Sequence, residues 1–262
     1  MPEGDTIHRS ARTLHQALAG KEVLRFQSRH PRLAPLDLAG SQVQSVEARG
    51  KNLLIDFGVA TLHTHMRMRG AWHIYRDGDR WKRPRRAAEI IIVTEPWSAV
   101  GFSIPEARWI RGAERDEPLP GLGPDLLDDA IDTSRFALAL QHADPLGVSL
   151  MDQSRLSGIG NVYKSELCFL AGADPFAAGS TFDDELLTGL VENARRLLRR
   201  NLHTPVRTTR PDRAHPLWVY RRRGERCFRC STPIEMRHQG DALLGQALRS
   251  TYFCPRCQNV DA

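Results

Sequence analysis

The segment Met151-Asp-Gln-Ser-Arg-Leu-Ser-Gly158-Ile159-Gly160-Asn161-Val-Tyr-Lys-Ser-Glu166 sets two glycines and an asparagine between two helical patterns. Glycine permits tight turns and lets a ligand approach the backbone closely. Asn161 is placed to cap the helix that follows. A helix start offers free N–H groups and a partial positive charge, which suit a phosphate, and the Asn161 amide adds a donor. Taken alone, a plain helix–turn–helix connection with a capping asparagine is the simpler reading.

Helical periodicity extends outward over 134–142, 148–155, 161–171 and 183–201. The last segment carries Arg195, Arg196, Arg199 and Arg200 at i,i+4 spacing, which reads as a solvated face. Cys168 falls in an apolar helical run and reads as a core thiol. Further on, Cys227-Phe-Arg-Cys230 and Cys254-Pro-Arg-Cys257 are two C-x2-C pairs separated by 23 residues. Each pair can aim two thiolates at one ion, and together they complete a tetrahedral four-sulfur shell suited to zinc. Disulfides and a redox dithiol are the competing readings, and a reducing compartment argues against them. Four protein ligands leave no open position, so the zinc is expected to be structural. Segments 233–238 and 247–253, around Gly240 and Gly245, read as a hairpin, making the module a zinc ribbon. That hairpin would present Arg249, with Arg221–Arg223 nearby, to phosphates.

Toward the N-terminus the texture changes. Residues 113–132 are rich in Pro, Gly and acid and read as a linker. Period-two and β-branched segments precede them at 23–27, 42–47, 52–57, 61–75 and 89–95. They imply an antiparallel sandwich or barrel behind one amphipathic helix over 5–19. In that helix Ile7, Ala11, Leu14 and Leu18 share a face, Asp5 or Thr6 can cap the start, and Gly20 can end it. The expected organisation is α+β and multidomain. An N-terminal β-sandwich with a leading helix spans 1–115, a linker 116–132, a helical domain 133–215 and a zinc-bearing module 216–262.

The chain has 37 basic and 31 acidic residues, a net charge of +6. Residues 201–262 hold 11 basic and 5 acidic residues, whereas the first 200 hold 26 of each. The surplus therefore sits in the cysteine-bearing end and points to a polyanionic partner, most often nucleic acid, with a solvated basic tail as the plain alternative. Charged residues at 26% and apolar residues at 41% exclude a disordered chain. No apolar run approaches the roughly 18 residues a membrane span needs. Met1-Pro2-Glu3-Gly4-Asp5 opens no basic-then-apolar secretory signal, so a cytosolic location is expected.

The 151–166 segment closely resembles the helix–two-turns–helix signature of the formamidopyrimidine-DNA glycosylase and endonuclease VIII family. The resemblance runs through the chain in family order. Pro2-Glu3-Gly4 matches the N-terminus, Arg49-Gly50-Lys51 the lysine loop, and Leu122-Gly-Pro-Asp125 the linker. Val219-Tyr220 matches the lead into the zinc finger, and Arg249-Ser-Thr-Tyr-Phe-Cys254 the hairpin bearing the family's phosphate-binding arginine. The resemblance implies a DNA glycosylase and AP lyase of base excision repair, cutting by β/δ-elimination. It also implies one structural zinc on Cys227, Cys230, Cys254 and Cys257. The implied partner is double-stranded DNA with a damaged base or abasic site, lying across a cleft between the two halves. The enzyme is expected to be a monomer in the bacterial cytoplasm, acting at the nucleoid.

The nucleophile so implied is Pro2, once Met1 is removed. An amine attacks a sugar C1′ only as its free base. An α-amino group with pKa about 7.8 is roughly 14% unprotonated at pH 7, against about 0.04% for a lysine at about 10.4. A secondary amine also forms an iminium that is cationic without protonation, a standing electron sink for elimination. Glu3 is the implied proton donor. Lys51 and Arg249 are implied phosphate contacts in the catalytic set, Lys51 with a part in proton transfer, and Asn161 is an implied DNA-binding donor. Arg67-Met68-Arg69 aligns with the endonuclease VIII gap-filling loop, with Met68 as the wedge that fills the space of a flipped nucleotide. Core methionines in a strand pair are the other reading. Without the resemblance, Pro2 and Glu3 are ordinary helix-leading residues and Lys51 a solvated turn lysine.

The Pro-Glu-Gly start, the contiguous gap-filling residues and the short 201–219 segment favour the endonuclease VIII branch, hence oxidised pyrimidines as substrates. The alternatives are the purine-specific 8-oxoguanine and formamidopyrimidine branch, and a non-catalytic zinc-ribbon protein that binds damaged DNA. The chain departs from the family pattern at Asp5-Thr6, where a second acid is common, and in its longer zinc-finger spacer. Glu166 matches the family's acid in the second helix of the motif.

Overall fold

A computed structural model describes the chain except for Met1, Asp116, Pro118, residues 241–247 and residues 261–262. Gly245 and Ala247 of the expected hairpin, and Asp116 and Pro118 of the expected linker, thus lie outside the described residues. The chain divides into two compact units, Met1–Pro120 and Gly121–Ala262.

The first unit opens with α1 (Gly4–Leu18), whose Ile7, Ala11, Leu14 and Leu18 are buried as the helical period requires. Neither Asp5 nor Thr6 caps it. Glu3 is the N-cap, in extended backbone, and its carbonyl accepts the N–H groups of Thr6 and Ile7 at 2.9 and 3.1 Å. Asp5 is buried inside the first turn, where its carboxylate accepts the Thr6 N–H at 2.7 Å and faces the positive end of the helix.

Eight strands follow: β1 (Arg25–Ser28), β2 (Ser45–Arg49), β3 (Asn52–Asp56), β4 (Thr61–His65), β5 (Ala71–Arg76), β6 (Ala88–Val93), β7 (Trp97–Phe102) and β8 (Glu106–Ile110). They form two antiparallel sheets, ordered β1-β6-β7-β5 and β2-β3-β4-β8. Leu53, Ile55, Leu62, Ile90 and Ile92 join α1 in one shared core. The expected strand over 61–75 is two strands broken by a turn at 66–70. β7 and β8 escape the sequence reading for a physical reason. β7 is small-residue-rich and buried on both faces toward its end, and β8 alternates only weakly.

The second unit holds α2 (Thr133–Leu140), α3 (Leu146–Ser149), α4 (Asn161–Ala171), α5 (Asp184–Asn201) and the hairpin β9 (Glu235–Gln239) with β10 (Arg249–Phe253). Asp183 caps α5 by accepting the Leu186 N–H at 2.8 Å. The helix expected over 148–155 does not form: α3 ends at Ser149. The Asp152 carboxylate then accepts the Ser154 N–H and hydroxyl at 2.9 and 2.6 Å, a local turn that competes with helix. Cys168 is a fully buried core thiol, and burial pushes its pKa up to about 12.

The α5 face is solvated at Arg196, Arg199 and Arg200, which are exposed, while Arg195 is half-buried. Arg195 donates to the carbonyls of Ile131 and Asp128 at 3.1 and 2.8 Å, Arg199 pairs with Asp129, and Arg200 donates to the Thr208 carbonyl at 2.7 Å. They tie α5 to the chain before and after it. Among the described residues, no helix is long and apolar enough to cross a membrane.

Candidate active site and nucleic-acid interface

In the first unit Pro2 is half-buried directly ahead of Glu3, whose exposure is 0%. Lys51 is half-buried in the two-residue turn Gly50–Lys51 that joins β2 to β3 at the Arg49–Asn52 pair. Beside it lies one face of β3, β4 and β8, where His65 stands opposite both Asn52 and Glu106, and His63 opposite Arg108. Arg108 Nε donates to His63 Nδ1 at 3.2 Å, so the ring proton sits on Nε2 and is donated to Asn52 Oδ1 at 2.8 Å. Burial, then the Arg108 charge, push the His63 pKa down to about 4. Burial, then the Arg67 charge, do the same to His65, to about 4, and Lys51 adds to the effect. Both imidazoles are therefore neutral at pH 7.

The turn after β4 separates two methionines, of which the resemblance singled out Met68 and composition alone neither. Met66 is in the core, whereas Met68 is 60% exposed. Gly70 closes the turn with an N–H bond to the Met66 carbonyl at 2.8 Å, and a Cβ there would meet that oxygen at 2.6 Å. Arg67 holds a left-handed φ of 46°. Its N–H donates to His65 Nδ1 at 3.1 Å and its guanidinium pairs with Glu106 at 2.6 Å. Arg69 is exposed, and its carbonyl accepts from Arg83 at 3.2 Å.

In the second unit the turn ahead of α4 needs Gly158, whose φ is 109°. Gln153 braces it, accepting the Gly158 N–H at 3.2 Å and donating to the Ile159 carbonyl at 3.1 Å. The N-cap of α4 is Gly160, not Asn161. Asn161 is already helical and buried, and its Nδ2 donates to the Ser250 carbonyl at 2.8 Å. The motif turn is thereby joined to β10, beside Arg249. Arg249 lines a cavity of about 420 Å³ with Met151, Gln153 and Gln239.

Arg222 is not presented to phosphates. It is 8% exposed, pairs with Glu225 at 2.9 Å and donates to the carbonyls of Trp218 and Arg226 at 2.6 and 2.8 Å. Arg221 and Arg223 are exposed.

The sulfurs of Cys227, Cys230, Cys254 and Cys257 lie within 4.8 Å of one another. Cys227 and Cys257 are 3.9 Å apart, and Cys230 and Cys254 3.4 Å. A tetrahedron with Zn–S bonds of about 2.3 Å has edges of about 3.8 Å, so the cluster fits one zinc ion. Burial pushes the Cys254 thiol up to about 11 and raises Cys257 as well, so an ion's charge is what would keep those two as thiolates.

Glu166 was visible only through the resemblance. It is fully buried in α4 and accepts the N–H groups of Trp218, Val219 and Tyr220 at 2.8, 2.9 and 2.8 Å, and the Thr209 hydroxyl. Burial pushes its pKa up against those four donors. Its role is to anchor the chain that leads into the cysteine module. His63, Arg108, Glu106 and Gln153 were missed because an isolated polar residue carries no spacing signal.

Residues 1–103 match the model of the formamidopyrimidine-DNA glycosylase N-terminal domain, and residues 122–211 that of the formamidopyrimidine-DNA glycosylase H2TH domain. A probable endonuclease 8 2 of Streptomyces coelicolor is 43% identical, over 98% of this chain and 94% of that protein. The chain belongs to the formamidopyrimidine-DNA glycosylase family. Within the family, the DNA-(apurinic or apyrimidinic site) lyase Nei2 of Mycolicibacterium smegmatis is 40% identical, over 99% of this chain and 100% of that one. The crystal structure of MutM (Fpg) from Thermus thermophilus superposes with a TM-score of 0.80 at 27% identity, covering 100% of both chains. This family member is an endonuclease 8-like DNA glycosylase and AP lyase, an enzyme rather than a non-catalytic binder.

Proposed function

We propose that this glycosylase removes oxidised pyrimidines from double-stranded DNA and cuts the strand through a covalent intermediate on Pro2. The chain just ahead of α1 carries this conclusion: Pro2, which removal of Met1 would make terminal, is followed directly by the wholly buried Glu3. With Met1 removed, the Pro2 nitrogen attacks C1′ as a free base, the C1′–base bond breaks, and the base leaves with the bonding pair and gains a proton. Glu3 protonates the ring oxygen as the sugar opens, leaving an iminium between Pro2 and C1′. Loss of a C2′ proton feeds electrons toward the iminium and expels the 3′ phosphate. A second elimination expels the 5′ phosphate, and hydrolysis frees Pro2.

The other residues bind and orient. Lys51 and Arg249 hold phosphates beside the lesion, with Asn161 and the start of α4 adding donors. Two facts support that grip: Asn161 is bonded to Ser250, and Arg249 is the adjoining residue of β10. Met68 fills the gap left by the flipped nucleotide, between Arg67 and Arg69, as its exposure on a tightly closed turn supports. Cys227, Cys230, Cys254 and Cys257 would hold one zinc, whose charge binds four thiolates and fixes the hairpin bearing Arg249. Residues 1–115 are the catalytic domain, 116–132 the linker, and 133–215 with 216–262 the DNA grip. The enzyme works as a monomer at the bacterial nucleoid, since every proposed group lies on one chain.

Excision rates on duplexes carrying thymine glycol, dihydrouracil or 8-oxoguanine test the substrate class. The two pyrimidine lesions are expected to be cut faster, and the reverse order would assign the purine branch. Pro2→Gly is expected to abolish excision while DNA binding persists; unchanged excision would remove the proline mechanism.

A further inference from the structure

Lys164 is a buried cation that the proposed chemistry does not use. It lies in α4, three residues after Asn161, and is 1% exposed. A buried ammonium is costly unless acceptors receive its protons. Its Nζ donates to Thr251 Oγ1 at 2.7 Å and approaches the Ser250 carbonyl at 3.5 Å. Thr251, with 0% exposure, donates a hydrogen bond from its own hydroxyl to Gln239 Oε1 at 2.9 Å, and Gln239 Nε2 donates to the Pro175 carbonyl at 2.5 Å. A continuous polar chain therefore runs from α4 through β10 and β9 to the loop beyond α4. On either side of it, Asn161 holds the Ser250 carbonyl, and Ser165 Oγ accepts the Tyr252 N–H at 3.2 Å.

We propose that Lys164 is a positioning residue that sets where Arg249 stands relative to the Gly158–Asn161 turn. This deepens the proposed phosphate grip and rests on it. Pairing between β9 and β10 fixes the hairpin internally but does not fix it against α4. Residues 249 and 251 project from the same face of β10, because strand side chains alternate. Whatever tethers the Thr251 side chain therefore orients the face from which Arg249 reaches out. A hydrogen bond from an ammonium is roughly twice as strong as a neutral one, which suits a tether that must resist sliding.

The test is a double-mutant cycle read by affinity for a duplex containing a tetrahydrofuran abasic analogue, across a series of salt concentrations. Lys164→Met keeps the apolar stem and removes the donor. It is expected to weaken binding about tenfold, the scale of one lost charge-assisted hydrogen bond, and to shallow the log–log salt slope by up to about 0.9, one phosphate contact. On an Arg249→Ala background the same change is expected to add less than about twofold, because coupled residues are non-additive. Thr251→Val, which keeps both the ammonium and the side-chain volume, repeats the cycle if Lys164→Met fails to fold. Unchanged affinity in Lys164→Met, or full additivity with Arg249→Ala, overturns the proposal while leaving the grip intact. If Arg249→Ala alone costs nothing, the grip falls and the positioning role with it.

Discussion

Met66 and Met68 sit two residues apart and do different things, and the difference is geometric. Closure at Gly70 turns Met66 into the core and leaves Met68 at the tip. Burying a methionine side chain between base pairs is worth about 1.5–3 kcal/mol, so Met68→Ala is expected to slow lesion-base excision roughly tenfold or more. Cleavage of a preformed abasic site, measured on the same protein, is expected to fall less, because no base has to be displaced. His63 and His65 give a second expectation. Both have folded pKa values of about 4, below the ordinary 6.5, so the unfolded chain takes up protons first as pH falls. Their contribution to stability is complete above about pH 6.5 and is lost as pH falls toward about 4. The melting temperature is expected to drop between pH 6.5 and 5 and to drop less in His63→Gln. Neither histidine was legible as a site residue, because the β4–β8 pairing that sets Arg108 against His63 and Glu106 against His65 joins residues more than 40 positions apart in sequence.

Helix α4 was the most legible element. Its bounds follow from apolar periodicity and a glycine at each end, and it buries Asn161, Lys164 and Glu166 against β10 and the 218–220 segment. The segment before it was not legible as it stands, because the Asp152–Ser154 turn defeats the helical period of 148–155. Asn161 was misread as a cap for a related reason: its amide has a better partner in Ser250, 89 residues away. Glu166 shows how much one side chain can organise. Glu166→Gln keeps the shape but turns an amide donor toward backbone N–H groups, and is expected to cost about 2–4 kcal/mol in denaturant unfolding. Zinc removal is expected to act at the same scale. A chelator should release about one zinc per chain and lower the melting temperature, with loss of affinity for abasic-analogue DNA. Unchanged binding after metal loss would contradict a structural ion in the module that carries Arg249.

Across the whole molecule the charge surplus of residues 201–262 acquires a narrower meaning. Part of it is internal scaffolding. The Arg222 and Arg210 guanidinium carbons sit 3.6 and 3.9 Å from the Phe228 ring centroid, and Arg229 sits 4.4 Å from that of Phe169. Composition counts such arginines as DNA-facing charge, and only packing tells them apart. Arg222→Ala is therefore expected to lower thermal stability and leave the salt slope of binding nearly unchanged, whereas Arg249→Ala is expected to shallow that slope by about 0.9. The overall class was readable because α1, the strands and the cysteine pairs each carry a local period or spacing. What the sequence hid is long-range: the order of the sheets and the contacts among side chains that meet only after folding.

The proposed chemistry lies in the charge-balanced part of the chain, at Pro2, and one measurement addresses it directly. The protein is incubated with an abasic-site duplex and borohydride, digested with trypsin, and the DNA-bearing peptide is sequenced by mass spectrometry. The expected result is a single adduct on the peptide Pro2–Arg9, with Met1 absent. An adduct on a peptide containing Lys51, or no adduct at all, would contradict it.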